Sequence, residues 1–184
     1  MKNMTIWNIA RACKGHLAVP AGKHTGTCPA AGMAVIRGYS GKEAAGIVID
    51  SRKVEPGDIF VAIRGERVDG HQFIREVFDK GAIAVVCEEE PEELPGPCIR
   101  VEDSLAALRQ IAAFYREQMP IPIVGITGSV GKTSTKEFVA SVLAQKYKTH
   151  KTQGNFNNEI GVPLTLLAMP EDTEAGVVGV GINL

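Results

Sequence analysis

Three things are scarce in this sequence of 184 residues, and each scarcity removes a class of function. Net charge is the first: 20 Lys and Arg against 21 Asp and Glu leave -1 at pH 7, so no excess of one sign is available to hold nucleic acid or a membrane surface by bulk electrostatics. Long apolar runs are the second. None approaches the ~18 consecutive apolar residues of a membrane span, and Asn3, Thr5 and Asn8 interrupt the start of the chain, where a signal peptide needs a continuous apolar core. A cytoplasmic protein without a membrane span is expected. Paired cysteines are the third. Cys13, Cys28, Cys87 and Cys98 show no C-x-x-C spacing, and a chain of this size needs no disulfide staples, which suits a reducing compartment. Cys13 with His16, and His24 with Cys28, are ligand types for zinc, but their spacing matches no standard structural site. Cys13 also falls on the apolar side of a predicted helix, so a buried free thiol is the expectation there.

What remains is an ordinary globular composition, 45% hydrophobic and 22% charged with 20 Gly, enough for one ample domain or two small ones. Thr5 before Ile6, Ile9, Ala10 and Cys13, closed by Gly15, predicts a capped amphipathic helix. The Gly- and Ala-rich stretch from Pro20 to Gly46 predicts mostly loop. Ile47 to Ile49 and Ile59 to Ile63 predict strands separated by turn residues around Pro56 and Gly57. Phe73, Ile74, Val77 and Phe78 predict a helix stopped by Gly81, followed by a buried strand over Ala82 to Cys87. The acidic run Glu88 to Glu93 reads as a solvated loop. Ile99 to Val101 predicts a brief strand, and Asp103 or Ser104 caps a helix whose stripe is Leu105, Leu108, Ile111, Ala112 and Tyr115. Pro120 and Pro122 then break the pattern. The expected fold class is α/β: an N-terminal mixed α/β substrate domain over 1–118, followed by the start of a P-loop parallel-sheet ATP-binding domain over 119–184.

Beyond that boundary lies the densest chemistry. Ile121 to Ile126 is an apolar, β-branched run; Thr127, Gly128, Ser129, Val130, Gly131, Lys132, Thr133 and Ser134 follow; Phe138, Val139, Val142 and Leu143 then predict the buried face of a helix. A strand, a glycine loop and a helix in this order build a phosphate-binding loop. Glycines let successive N–H groups converge on phosphate oxygens, and the helix N-terminus adds its positive end. Lys132 would reach the outer phosphates and the Thr133 hydroxyl would coordinate magnesium. The strict G-x4-G-K-[ST] pattern is not met, because Ile126 stands where the first glycine belongs. Downstream, Asn155, Asn157 and Asn158 crowd a segment before another predicted helix; amide side chains there suit either a capped turn or a substrate-facing loop.

Together these segments resemble the Mur ligases of bacterial cell-wall synthesis, and within them the branch that adds D-alanyl-D-alanine. Thr127 to Thr133 is similar to that family's variant ATP loop, and Gly154 to Leu167 to the segment that distinguishes the branch. Asp50-Ser51-Arg52, Pro56 to Ala62 and Asp69 to Phe73 are similar to the domain holding the UDP-sugar end of the substrate. The resemblance implies ATP and Mg2+ as cofactors and a UDP-N-acetylmuramoyl peptide and D-alanyl-D-alanine as partners. ATP would phosphorylate the peptide's terminal carboxylate, and the dipeptide amine would attack the acyl phosphate, giving ADP and phosphate. It further implies Lys132 and Thr133 as catalytic groups, Ser51, Arg52, Asp69 and His71 at the UDP-sugar end, and Asn155, Asn157 and Asn158 at the substrate. A monomer is expected.

Two departures from the family pattern bear on activity. The family places a magnesium-binding glutamate in a stretch of the form apolar-apolar-Glu-apolar-Gly, whereas this sequence reads Val177-Val178-Gly179-Val180-Gly181. Glu171, Asp172 and Glu174 fall at the wrong end of the predicted strand to replace it. The second is sheet size: the ~60 residues after Pro122 predict two parallel strands, against the about five or six of a typical open sheet. A partial second domain with impaired or absent turnover is therefore expected. The rivals are a non-catalytic UDP-sugar and nucleotide-binding module and, on the loop alone, another P-loop kinase.

Overall fold

The apolar runs become strands, and where both faces of the sheet are covered the strands are apolar throughout. In the computed structural model, which describes residues 1–20, 38, 41–65, 68–154 and 156–181, the chain divides into two compact units, Met1–Ile111 and Ala112–Leu184. In the first unit, α1 (Ile6–Ala12) starts where the Thr5 hydroxyl accepts the Asn8 N–H at 3.2 Å. Its end differs from expectation. The left-handed turn belongs to Lys14, at φ 53, while Gly15 serves close approach, since a Cβ there would lie 2.5 Å from the Ile99 side chain.

Five strands follow: β1 (His16–Ala18), β2 (Ile47–Val48), β3 (Ile59–Val61), β4 (Ala84–Cys87) and β5 (Cys98–Arg100). Their order is β1-β5-β4-β3-β2, with β1 antiparallel to β5 and the rest parallel. Every residue of β3 and β4 is buried, as expected for parallel strands covered on both sides. Phe60, Val85 and Cys87 share a core cluster with Ile74 and Val77 of α2 (Ile74–Asp79), and Gly81, at φ +100, ends that helix against Pro56. Of the two expected caps for α3 (Ser104–Glu117), Asp103 does the work: its Oδ1 accepts the N–H groups of Leu105 and Ala106 at 2.7 and 2.9 Å. The division between the units falls within α3.

Cys13, Cys87 and Cys98 are buried free thiols, and burial pushes the Cys13 thiol up. His24 and Cys28 lie outside the described residues, as does most of the expected Pro20 to Gly46 loop. Among the described residues no group of three or more His, Cys, Asp and Glu could hold a metal ion, and no helix is long and apolar enough to cross a membrane.

The second unit holds a three-stranded parallel sheet in the order β6-β8-β7, from β6 (Ile123–Ile126), β7 (Thr149–Lys151) and β8 (Ala175–Gly179). Two strands were expected. The third, β7, has no apolar run; pairing with β8 makes it a strand. Between the strands lie α4 (Lys132–Leu143) and α5 (Gly161–Leu167). The expected buried face of α4 is also corrected: Phe138 and Val142 are 73% and 72% exposed, while Lys136 and Ala140, one turn apart on another face, are buried.

Candidate functional site

β6 ends at Ile126 and α4 begins at Lys132, so Thr127 to Gly131 form the turn between them. Gly128 and Gly131 adopt φ +142 and +78, and a Cβ on Gly131 would meet nothing within 4 Å. Backbone angle, not crowding, requires these glycines. Thr127, Ser129, Val130, Thr133 and Ser134 are exposed around the loop. Lys132 folds back, its Nζ donating to the Gly128 carbonyl at 2.5 Å. An ammonium over a glycine turn at a helix N-terminus is an arrangement that binds phosphate.

One turn further along α4, Lys136 does something different. It is 3% exposed, and its ammonium donates to the Thr152 and Gly154 carbonyls at 2.7 and 2.9 Å. The chain leaving β7 is thereby tied to the phosphate-loop helix. The loop is held at other points too: the Thr152 hydroxyl accepts the Gly179 N–H at 3.0 Å, and the Asn157 carbonyl accepts the Gly181 N–H at 2.6 Å. Asn158 uses its side-chain oxygen to cap α5, accepting the Gly161 N–H at 2.7 Å. For Asn158 the capped turn is therefore realised, whereas Asn157 is half-buried at the C-terminal end of β8. Asn155 lies outside the described residues. The reading of apolar periodicity passed over Lys136; its only signal was the helical spacing from Lys132 and to Ala140.

The donors for a magnesium ion are few. P-loop enzymes share the metal between the loop Ser/Thr and an acid on a neighbouring strand, and magnesium normally takes one or two carboxylates beside the phosphates. Here Thr133 offers its hydroxyl. The end of β8 offers Gly179, register partner of Ile126. Glu174 and Asp172 are at the opposite end of the strand, both engaged with Lys148. Among the described residues, no carboxylate at the end of β8 completes a magnesium site beside Thr133.

In the first unit the expected substrate residues follow the C-terminal ends of two parallel strands, β2 and β3, the end of such sheets where ligands bind. After β2, Asp50 closes on Arg52: Nε donates to Oδ1 at 2.9 Å and a terminal nitrogen to Oδ2 at 2.7 Å. That fork holds the Asp50 carboxyl well below the usual carboxylate range. Ser51 is buried, with its carbonyl accepting from Lys80 at 2.8 Å. After β3, Asp69 Oδ1 accepts the His71 N–H at 2.9 Å and meets His71 Nδ1 at 2.6 Å. His71 Nε2 accepts the Glu88 N–H at 2.9 Å, which assigns the ring hydrogen to Nδ1. The acidic run is thus only partly a solvated loop, because Glu88 also accepts the Ser104 N–H at 3.0 Å and Glu89 pairs with Arg64 at 2.6 Å. Beside these ends is a cavity of about 850 Å³, with Lys14, His16, Arg100, Glu88 and Asp103 among its walls. Neither Lys14 nor Arg100 belongs to a sequence motif.

The His71 backbone and ring N–H groups hold the Asp69 carboxyl below its ordinary value. Since the folded value lies below the unfolded one, about 3.9, the turn's contribution to stability is present above that pH and is lost as pH falls through the folded value. The His71 amide resonance is expected to move as Asp69 protonates below about pH 4; an amide shift that stays flat through that titration would contradict the bond.

Two family models match the chain. Residues 43–116 match the Mur ligase family catalytic domain, and residues 126–183 match the Mur ligase middle domain, beginning at the end of β6. The chain belongs to the Mur ligase family. It is 40% identical over 188 residues to the UDP-N-acetylmuramoyl-tripeptide–D-alanyl-D-alanine ligase of Bacillus subtilis, covering 100% of this chain and 37% of that Mur ligase. The ligase of the same name from Synechocystis is 49% identical over 134 residues, 72% of this chain and 30% of that protein. Among solved structures, MurF from Acinetobacter baumannii superposes with a TM-score of 0.78 at 31% identity, covering 97% of this chain and 36% of that one. MurF from Thermotoga maritima in complex with ADP gives 0.68 at 37% identity, covering 73% and 31%. The chain spans about a third of the length of the curated Mur ligases it matches.

Proposed function

We propose that this chain holds two substrates of an ATP-dependent ligase that joins D-alanyl-D-alanine to UDP-N-acetylmuramoyl-tripeptide. Residues 1–118 take the UDP-sugar end of the peptide, with Ser51, Arg52, Asp69 and His71 at strand ends, and residues 119–184 take the ATP phosphates. The observation that carries this reading is the phosphate loop from Thr127 to Thr133, joined through Lys136 to the asparagine loop in one parallel unit. In the ligase reaction the peptide's terminal carboxylate attacks the outer phosphate of ATP and releases ADP; the dipeptide amine then displaces phosphate from the acyl phosphate. Loop N–H groups and Lys132 would stabilise the charge on the transferred group, a matter of position and electrostatics. Asn157 would face the same phosphates.

Gly179 favours a second reading, in which the chain binds both ligands without turnover. Release of ADP from ATP, with tripeptide, D-alanyl-D-alanine and magnesium present, separates the two. Release that requires the tripeptide and disappears in Lys132→Ala identifies the ligase. Saturable binding of both ligands with no release identifies the binding module, and binding of neither refutes both.

A further inference from the structure

Gly179 closes β8 at the register position of Ile126, the last residue of β6 before the phosphate loop. In P-loop proteins the corresponding neighbouring strand commonly carries the acid that shares magnesium with the loop hydroxyl. Nothing in the local packing demands a glycine. A Cβ on Gly179 would have Asn157 and Lys136 as its nearest neighbours, both at an ordinary 3.9 Å, and its backbone is outside the left-handed region. The position therefore accepts a Cβ without crowding and carries no carboxylate. The ammonium of Lys136 is committed to two carbonyls, which leaves the loop N–H groups and Lys132 to meet the phosphate charge. Among the described residues, a magnesium ion arriving with the nucleotide would find the Thr133 hydroxyl with no carboxylate beside it at the end of β8, and magnesium gives up its water reluctantly.

We infer that this chain's loop takes nucleotide phosphates without a divalent cation held by the protein, so that magnesium adds little to nucleotide affinity. The inference rests on the nucleotide reading proposed above. Lys132 and the loop amides supply the positive charge, and the fully charged, metal-free nucleotide suits them at least as well as its magnesium complex.

Calorimetric titration of the full chain with ADP, once with a chelator and once with excess magnesium, tests this. The two dissociation constants are expected to agree within about threefold for the unaltered chain, whereas Gly179→Glu is expected to tighten ADP at least about tenfold when magnesium is present. Gly179→Gln, matched in shape but uncharged, is expected to show no such gain. A magnesium gain of about tenfold or more in the unaltered chain would overturn the inference whether or not the variants fold. So would a Gly179→Glu protein that binds metal-free ADP normally and gains nothing from magnesium. Absence of ADP binding under both conditions refutes the nucleotide reading itself, a different result from metal-dependent binding.

Discussion

Lys132→Ala is expected to weaken ADP binding by roughly ten- to a hundredfold while leaving the affinity for UDP-N-acetylmuramoyl-tripeptide unchanged, the loss corresponding to one charge-assisted contact with phosphate. The cause is local. Lys132 is the first residue of α4 and its ammonium already bends over the loop to the Gly128 carbonyl, so nucleotide binding requires only that it exchange that carbonyl for phosphate oxygens. That existing bond lies in a half-exposed turn, and its loss should hardly change stability. Titration of the variant with each ligand in turn checks both halves of the expectation. Equal weakening toward both ligands would mean that Lys132 acts through the fold rather than through phosphate.

Lys136→Met is expected to do the opposite, costing stability and loosening the asparagine loop. Methionine fills much the same volume, but the Thr152 and Gly154 carbonyls would lose a donor at a site where the lysine is 3% exposed. The Thr152 carbonyl is buried, whereas Gly154 is exposed and water can replace the lysine there; one unsatisfied buried acceptor costs ~1–3 kcal/mol, so a loss of about 2 kcal/mol is expected in urea unfolding, with little change in the slope. Amides of residues 153, 154 and 156–158 should exchange faster in the same variant. A stability change below about 0.5 kcal/mol, the range of ordinary surface substitutions, would show that the tie between helix and loop is not a structural one.

These two lysines also show which parts of the molecule could be read in advance. Lys132 was legible because the phosphate loop is a local device: two glycines at positive φ, a lysine and a threonine at the start of a helix. Lys136 was not, because its partners on the chain leaving β7 become neighbours only when β7 pairs with β8. The same reason hid β7 itself, whose Thr149, His150 and Lys151 give no apolar run and take their extended form from one neighbour. Helical periodicity identified α4 but not its buried side; Phe138 and Val142 share the spacing of a core face and stand exposed. In the first unit, Asp69 and His71 were recognisable as candidates. Their connection to Glu88 was not, since it forms only because β4 lies beside β3 and brings the Glu88 N–H to the imidazole. Gly179 is the reverse case. Its identity is plain in the sequence, and the structure adds that a Cβ there would meet only ordinary contacts.

On the proposed function, one chain carries two separate ligand sites, one for a nucleotide-linked muramoyl peptide and one for adenine nucleotide phosphates. Calorimetric titration with UDP-N-acetylmuramoyl-tripeptide, repeated on protein already saturated with ADP, tests it most directly. One peptide bound per chain, with ADP still bound beside it, is the predicted result; no saturable heat from the peptide, or its competition with ADP for a single site, would contradict the account.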